Sequence, residues 1–298
     1  FDFCMAISAA IFACELSKKE KNDKVFFVTF AAVIMLPTVI LNSAYWGQCD
    51  SIYTTFIILT LLYLYREKYH RAFMFLGIAF AFKMQTIFIF PFIICFYIYK
   101  KQFSIFELLI TVFTFWISGI GAFVQGRSLL DPFRIYANQT GTYQYMHVNF
   151  PSFWMFVGND YEWLKTAAIV MAAGICGMGL YIIMKRKLDC SRPENFVSIA
   201  SWFIWTCVLF LPAMHERYAY PLEILLVILT CINKDYLKYS SVAILFSLFT
   251  YGNYLFSNGG LDKYIVIIYA GCYLHFTYTI LKKNSKAATV TDKEMQNE

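Results

Sequence analysis

Apolar side chains in this chain come in long uninterrupted runs, not at the three-or-four-residue spacing of a helix that buries one face against a soluble core. Eleven such segments can be marked, at 1–16, 25–45, 51–65, 72–82, 86–99, 105–124, 166–184, 196–211, 221–233, 239–256 and 264–281. Such runs predict helices set in hydrocarbon, where each segment must satisfy its own backbone amides and carbonyls. The expected fold class is all-α, a polytopic transmembrane helix bundle of about eleven apolar segments. A span across a ~30 Å core takes about 20 helical residues. Segments 72–82 and 86–99 fall short of that, so the "KMQ" at 83–85 between them is expected to line a wet cavity. Irregular backbone at that depth is tolerated only against protein or water. Neither an internal repeat nor a separate soluble domain interrupts the pattern.

Composition strengthens this reading. Of 298 residues, 59% are hydrophobic and 15% charged, and the mean hydropathy is +0.55. Phe and Tyr, 31 and 22 residues, suit packing against lipid and anchoring at its interface. The nine cysteines show neither metal spacing nor a paired extracellular pattern, so they read as small buried hydrophobes, with no redox or zinc chemistry indicated. The expectation is no cofactor, with a divalent cation left open, and no nucleic-acid partner.

Charge adds direction. Nineteen of the 25 Lys and Arg fall in alternate connections, such as Arg66, Lys68 and Arg71, or Lys185, Arg186 and Lys187. By the positive-inside rule these connections are cytoplasmic. "WGQCDS" (46–51), "KMQ" (83–85), the loop 125–165 and "MHERYAYP" (214–221) then share the non-cytoplasmic face. The long loop is aromatic enough to lie along the membrane surface, either as an interfacial helix starting at Asp131-Pro132 or folded onto the outer ends of the spans. Asn138-Gln139-Thr140 is a glycosylation sequon on that face, relevant in a eukaryotic secretory membrane. The polar tail 282–298 reads as a disordered cytoplasmic extension, and the domain proper as 1–281. The chain opens inside an apolar segment without methionine, which reads as an N-terminally truncated protein.

Three polar clusters are candidates for chemistry. In "PAMHERYAYP" the prolines stop the flanking helices and leave His215, Glu216, Arg217, Tyr218 and Tyr220 at the interface. Arginine there can clamp a phosphate and histidine can carry a proton; alternatively, Arg217 simply snorkels and pairs with Glu216 or a headgroup. Lys83, between two apolar runs, costs ~2.5–3.5 kcal/mol at a span centre, so it either faces an anion or reaches the surface from a short hairpin. Asp50 in "WGQCDS" could be a general base, a ligand for a sugar hydroxyl or metal, or the N-cap of segment 51–65. Gln48 offers an amide beside it. His147 and Asn149 are weaker candidates, and His70 and His275 read as structural.

"NSAYWGQCDSIY", "LGIAFAFKMQTIFIFPF" and "LPAMHERYAYP", in that order, resemble the multi-span membrane glycosyltransferases of the GT-C superfamily. Within it they are most similar to bacterial mannosyltransferase-like proteins related to the second GPI mannosyltransferase. The resemblance implies a hexosyltransferase that moves mannose or glucose from a polyprenyl-phosphate donor to a glycan, lipid or protein acceptor on the non-cytoplasmic face, with inversion. It implies that His215 and Arg217 serve the donor phosphate with Lys83 as helper. Trp46, Gln48, Gln85, Glu216 and Tyr218 would line the substrate pocket, with Asp50 as base or accessory carboxylate. In this family the principal carboxylate usually lies in the first outer loop, expected just upstream of Phe1, so this chain alone could be inactive. A bacterial plasma membrane is the expected location, with the endoplasmic reticulum as the alternative.

Two rival readings stand beside it: a transporter or flippase of a lipid-linked saccharide, and a polysaccharide polymerase. Transporters place polar groups near the midplane on interrupted, repeated helices, whereas these groups cluster on one face. The transferase reading requires the three clusters to meet in one pocket.

Overall fold

The computed structural model describes residues 1–17, 23–139, 142–257 and 263–295, with side chains described as far as Lys282. The described residues are helical, joined by loops, with an isolated β-bridge between His147 and Met214. In chain order the elements are α1 (Asp2–Ser17), α2 (Asp23–Ile34), α3 (Pro37–Val39), a π-helix (Ile40–Tyr45), α4 (Asp50–Tyr65) and α5 (Tyr69–Phe82). A 3-10 turn (Met84–Ile89) leads into α6 (Phe90–Lys100), followed by α7 (Glu107–Ile117), α8 (Ile120–Val124) and α9 (Asp131–Gln139). After a second 3-10 turn (Phe153–Phe156) come α10 (Tyr161–Lys185), α11 (Pro193–Phe210), α12 (Tyr220–Ile232), α13 (Leu237–Phe256) and α14 (Tyr264–Met295).

Among the described residues two helices are long and apolar enough to cross a membrane, Tyr161–Lys185 and Tyr264–Lys282. Only 17% and 28% of their apolar windows are buried in the protein, and α10 exposes Ile169, Val170 and Met178. Bare aliphatic surface on this scale calls for a non-aqueous neighbour, which ties the protein to a membrane. The eleven segments do not resolve into eleven helices of spanning length. Segment 25–45 breaks at Pro37, whose ring cannot continue the preceding helix, and its halves bend by 47°. Asp50–Tyr65, Tyr69–Phe82, Met84–Lys100, Glu107–Ile117 and Tyr220–Ile232 are apolar but shorter. Hydropathy registers the apolar stretch and misses the backbone interruption inside it.

The centre is made by α11 and α12, buried on all sides from Asn195 to Leu209 and from Tyr220 to Leu229. Trp205, Tyr220, Phe92, Phe96 and Phe196 fill it, with edge-to-face rings such as Phe92–Phe196 at 5.0 Å. Elsewhere small residues bring helices close. A Cβ at Gly77 would sit 2.6 Å from the Thr111 carbonyl oxygen, so α5 and α7 touch backbone to backbone, and Thr111 Oγ1 donates to the Phe73 carbonyl at 2.9 Å.

The helix ends sort into two groups. At one end lie the basic connections, cross-tied by Arg66–Glu15, Lys100–Glu67, His70–Glu107 and Asn233–Glu194. At the other lie residues 42–50, 83–85, 143–154 and 212–220, joined to one another as described below. The last helix continues as backbone to Met295, into the stretch that composition reads as disordered.

Candidate functional site

The polar end is organised by two departures from α-helical geometry. The π-helix Ile40–Tyr45 closes with Trp46 Nα donating to the Leu41 carbonyl at 3.0 Å, which turns Asn42 inward and Trp46 toward the bundle axis. Gly47, at φ +70°, then reverses the chain so that α4 begins at Asp50. Across the bundle, α5 ends with Lys83 in extended backbone at φ −156°, which points its side chain inward. Pro212 and Pro221 bracket the turn carrying His215, Glu216 and Arg217, in which Tyr218 and Tyr220 donate to the carbonyls of His215 and Arg217 at 3.1 Å each.

These segments meet at Asp50, which has no exposed surface. Lys83 Nζ donates to Asp50 Oδ1, Asn42 Nδ2 donates to Oδ2 at 2.9 Å, and Arg217 Nε lies 3.8 Å from Oδ2. Asn42 also donates to the Tyr251 hydroxyl at 3.2 Å. Arg217 Nη1 donates to Glu216 Oε1 at 2.6 Å, and His215 Nδ1 is 3.8 Å from Glu216 Oε2. Aromatic faces hold both cations: Trp46 lies 5.0 Å from the Arg217 guanidinium, while Tyr53 and Tyr218 lie 5.3 and 5.8 Å from Lys83. Tyr143, from the long loop, packs edge-on to His215 at 4.4 Å.

The structure thus brings together Trp46, Asp50, Lys83, His215, Glu216, Arg217 and Tyr218 from three separated stretches. Gln48 and Gln85 are half-buried, and neither amide bonds the cluster. Asp50 does not cap α4. It is the first residue of that helix, its carboxylate turns to Lys83 and Asn42, and Cys49 stands at the cap position without a side-chain bond. His147 stays peripheral, its amide held by Asn159 at 3.2 Å and its ring pushed down from the usual histidine range by burial. His70 pairs with Glu107 at 2.7 Å and His275 with the Tyr239 hydroxyl at 2.8 Å, both away from Asp50. The loop 125–165 takes both expected forms. Asp131-Pro132 begins the exposed helix α9, and residues 143–154 fold onto the polar end, with Ala213 Nα donating to Met146 at 3.0 Å and Val148 Nα to Met214 at 3.2 Å. Of the sequon, Asn138 is exposed at the end of α9 and Thr140 lies outside the described residues.

The expected open pocket is filled by the cluster's own contacts. The Lys83 and Arg217 side chains keep only 13% and 19% of their surface exposed. A cleft of about 590 Å³ opens among α7, α8 and α9, lined by Phe115, Phe123, Arg127, Arg134 and Tyr136 and by none of the cluster's residues, with the Tyr136 hydroxyl donating to the Phe80 carbonyl near the end of α5. Burial acts against the charged form of Glu216, but the neighbouring His215, the backbone and the Arg217 charge hold its carboxyl below the usual range. Burial likewise acts against charged Arg217, and Glu216 and Asp50 outweigh it and raise the guanidinium further. Desolvation pushes the Tyr218 phenol up to about 12. His215 Nε2, Arg217 Nε and Glu216 Oε2 are buried without a hydrogen-bond partner, so two nitrogens and a carboxylate oxygen still have bonding capacity toward a ligand.

Sequence reasoning missed Asn42, Tyr53, Tyr251 and Asp2. Asp2 sits in the first turn of α1, where Ser43 Oγ donates to its Oδ2 while its buried Oδ1 has no partner. Position in an apolar chain was the available signal for Asp2, as it was for Asp50. Among the described residues no group of three His, Cys, Asp or Glu is arranged to hold a metal. No family model, curated protein or solved structure matches the chain.

Proposed function

We propose that the protein is a multi-pass membrane glycosyltransferase of GT-C type. In this reading it moves a hexose, mannose or glucose, from a polyprenyl-phosphate carrier to an acceptor hydroxyl on the non-cytoplasmic face, with inversion. The observation that carries the reading is the meeting of Asp50, Lys83, His215 and Arg217, brought from distant segments, with unpartnered nitrogens on His215 and Arg217. Transfer to a hydroxyl needs a proton acceptor on one side of the anomeric carbon and anion stabilisation on the other. The acceptor oxygen bonds to the anomeric carbon as the bond to the lipid-phosphate oxygen breaks. The hydroxyl proton passes to a carboxylate, and the phosphate departs as an anion held by Arg217, His215 and Lys83.

Asp50 and the phosphate compete for the same two cations. Lys83 now neutralises Asp50; a phosphate that draws Lys83 away frees the carboxylate to act as base. Trp46 and Tyr218 supply flat apolar walls for a sugar ring, and Glu216 orients Arg217. The basic connections would face the cytoplasm, in a bacterial plasma membrane or the endoplasmic reticulum. A lipid-linked saccharide transporter is the second reading, favoured by the broken helix at Pro37 beside the cluster.

The test is transfer by full-length protein in vitro, offered a panel of polyprenyl-phosphate sugars and membrane extract as acceptor. Arg217→Ala and His215→Ala should each abolish transfer with expression intact. Near-normal turnover in both removes the phosphate role, and vectorial movement of the carrier without glycosidic bond formation supports the transporter.

A further inference from the structure

The two candidate spans, α10 and α14, both pack on α11, and a groove of about 330 Å³ lies between them. Ile175, Met178, Ile182, Trp202, Leu274 and Ile280 are among its walls, and Met178 and Leu274 are exposed. Gly179 lets the Trp202 ring lie against the α10 backbone; a Cβ there would stand 2.3 Å from the ring. The polar groups in these walls bond one another. Trp202 Nε1 donates to Thr277 Oγ1 at 2.8 Å, Thr277 Oγ1 to the Tyr273 carbonyl at 2.8 Å, and the Tyr273 hydroxyl bonds Thr206 Oγ1 at 2.8 Å. Walls so satisfied give water little to hold, so the groove suits a hydrocarbon chain.

Toward the basic end the groove adjoins a second cavity, of about 360 Å³, which shares Ile182 and Leu281 with it and adds Tyr181, Lys185 and Arg186. α10 stops there because Lys187 turns left-handed, at φ +51°, with Leu188 Nα donating to the Ile183 carbonyl at 3.0 Å. Leu281 brings the end of the α14 span, at Lys282, to the same cavity. Elsewhere at this end Arg66 and Lys100 pair with Glu15 and Glu67, whereas Lys185 and Arg186 pair with no carboxylate among the described residues. Lys185 lies over the Tyr181 ring at 5.5 Å. The next acid in sequence, Asp189, is already bonded by the Tyr99 hydroxyl at 2.8 Å and the Ser191 amide at 2.9 Å. From Ile175 to Lys185 the groove and its mouth run about 15 Å along α10, at ~1.5 Å per residue. That is half of a ~30 Å hydrocarbon core, the depth of one leaflet.

We propose that this groove is a binding site for one anionic glycerophospholipid of the leaflet at the basic end, with an acyl chain between α10 and α14 and the headgroup phosphate at Lys185 and Arg186. The guanidinium offers phosphate oxygens a planar fork and the ammonium a point charge. Charge selects the headgroup. Lys187 and Lys282, both exposed, add positive charge at the two helix ends, which disfavours the amine of a zwitterionic lipid and favours a headgroup of net negative charge. The lipid ties α10 to α14 through a chain that neither helix supplies. The site lies at the end opposite Asp50, and the inference does not depend on the transferase reading.

The test uses the full-length protein in detergent, its thermal midpoint followed as dioleoyl phosphatidylglycerol or dioleoyl phosphatidylcholine is added in mixed micelles. The two lipids differ only in headgroup. Phosphatidylglycerol should raise the midpoint by about 5 °C at 100 times its dissociation constant, and should reach half its effect at a concentration about tenfold below that of phosphatidylcholine. Lys185→Gln combined with Arg186→Gln, both exposed positions, should remove that preference. The same exchange at Lys68 and Arg71, which line neither cavity, should leave it intact. Ile182→Trp, which fills the groove, should weaken the response to both lipids; should it not fold, the charge variants decide. Equal response to the two lipids overturns the proposal, as does a preference that survives the Lys185 and Arg186 exchange or falls equally in the Lys68 and Arg71 exchange. A rise reproduced by glycerol 3-phosphate would mean an anion site without a lipid, and a midpoint that climbs with protein concentration alone would put a second copy in the groove; either result overturns it.

Discussion

The two ends of the bundle use their charges in opposite ways. At the basic end the ion pairs are one-to-one and wet: Arg66 with Glu15 at 32% and 33% side-chain exposure, and Lys100 with Glu67 at 18% and 50%. Their acids and bases come from helix termini that hydropathy already places together, and water can replace either partner. At the polar end Asp50 is dry and shared by Lys83, Arg217 and Asn42, while Arg217 divides itself between Asp50 and Glu216. Pairs of the first kind orient a protein in its membrane and contribute little to stability. A network of the second kind costs more to desolvate than a fold alone requires, which points to use of the charges.

That contrast can be broken by substitution. Asp50→Ala should have the largest effect, since it leaves Lys83 and Arg217 buried and mutually repelling. About 3–5 kcal/mol of stability should be lost, read from chemical unfolding in detergent, and a loss under about 1 kcal/mol would mean that water reaches the cluster. The double cycle of Asp50→Asn with Lys83→Met should return a coupling of ~0.5–3 kcal/mol, because the two groups are in direct contact; additivity would dissolve the pairing. At the basic end Arg66→Ala or Lys100→Ala should cost ~0–1 kcal/mol, a cost that shrinks further in high salt. A salt-independent loss there would erase the difference between the ends.

A pH series sharpens the comparison at smaller scale. The Glu216 carboxyl is depressed in the folded protein, so its contribution is complete above the unfolded carboxyl value of about 4.3 and is lost as pH falls through the lower folded value. Glu216→Gln should remove that part of the acid limb and leave stability near neutral pH less dependent on acidification. An unchanged acid limb would show that Glu216 is not held by His215 and Arg217.

Much of the polar end was legible before any coordinates. An ionisable residue in a greasy chain is costly wherever it sits, so Asp50, Lys83 and Arg217 stood out, and the alternation of basic connections put them on one side. Asn42 did not stand out because its role depends on a π-turn that redirects it, a backbone event with no compositional mark. Glu223, buried in α12, carried the same signal as Lys83 but was hidden inside a run scored as uniformly apolar. The eleven-segment pattern likewise merged pieces that Pro37 and Gly119 divide, because averaging over a window cannot see where hydrogen bonding is interrupted.

The six-residue π-helix Ile40–Tyr45 makes the segment unusually sensitive to chain length. Deleting one residue between 40 and 45 would close the wide turn to ordinary α geometry and withdraw Asn42 from Asp50, although neither of those residues had been altered. Natural variants of this stretch should therefore tolerate exchange of its aliphatic residues far better than a change in their number.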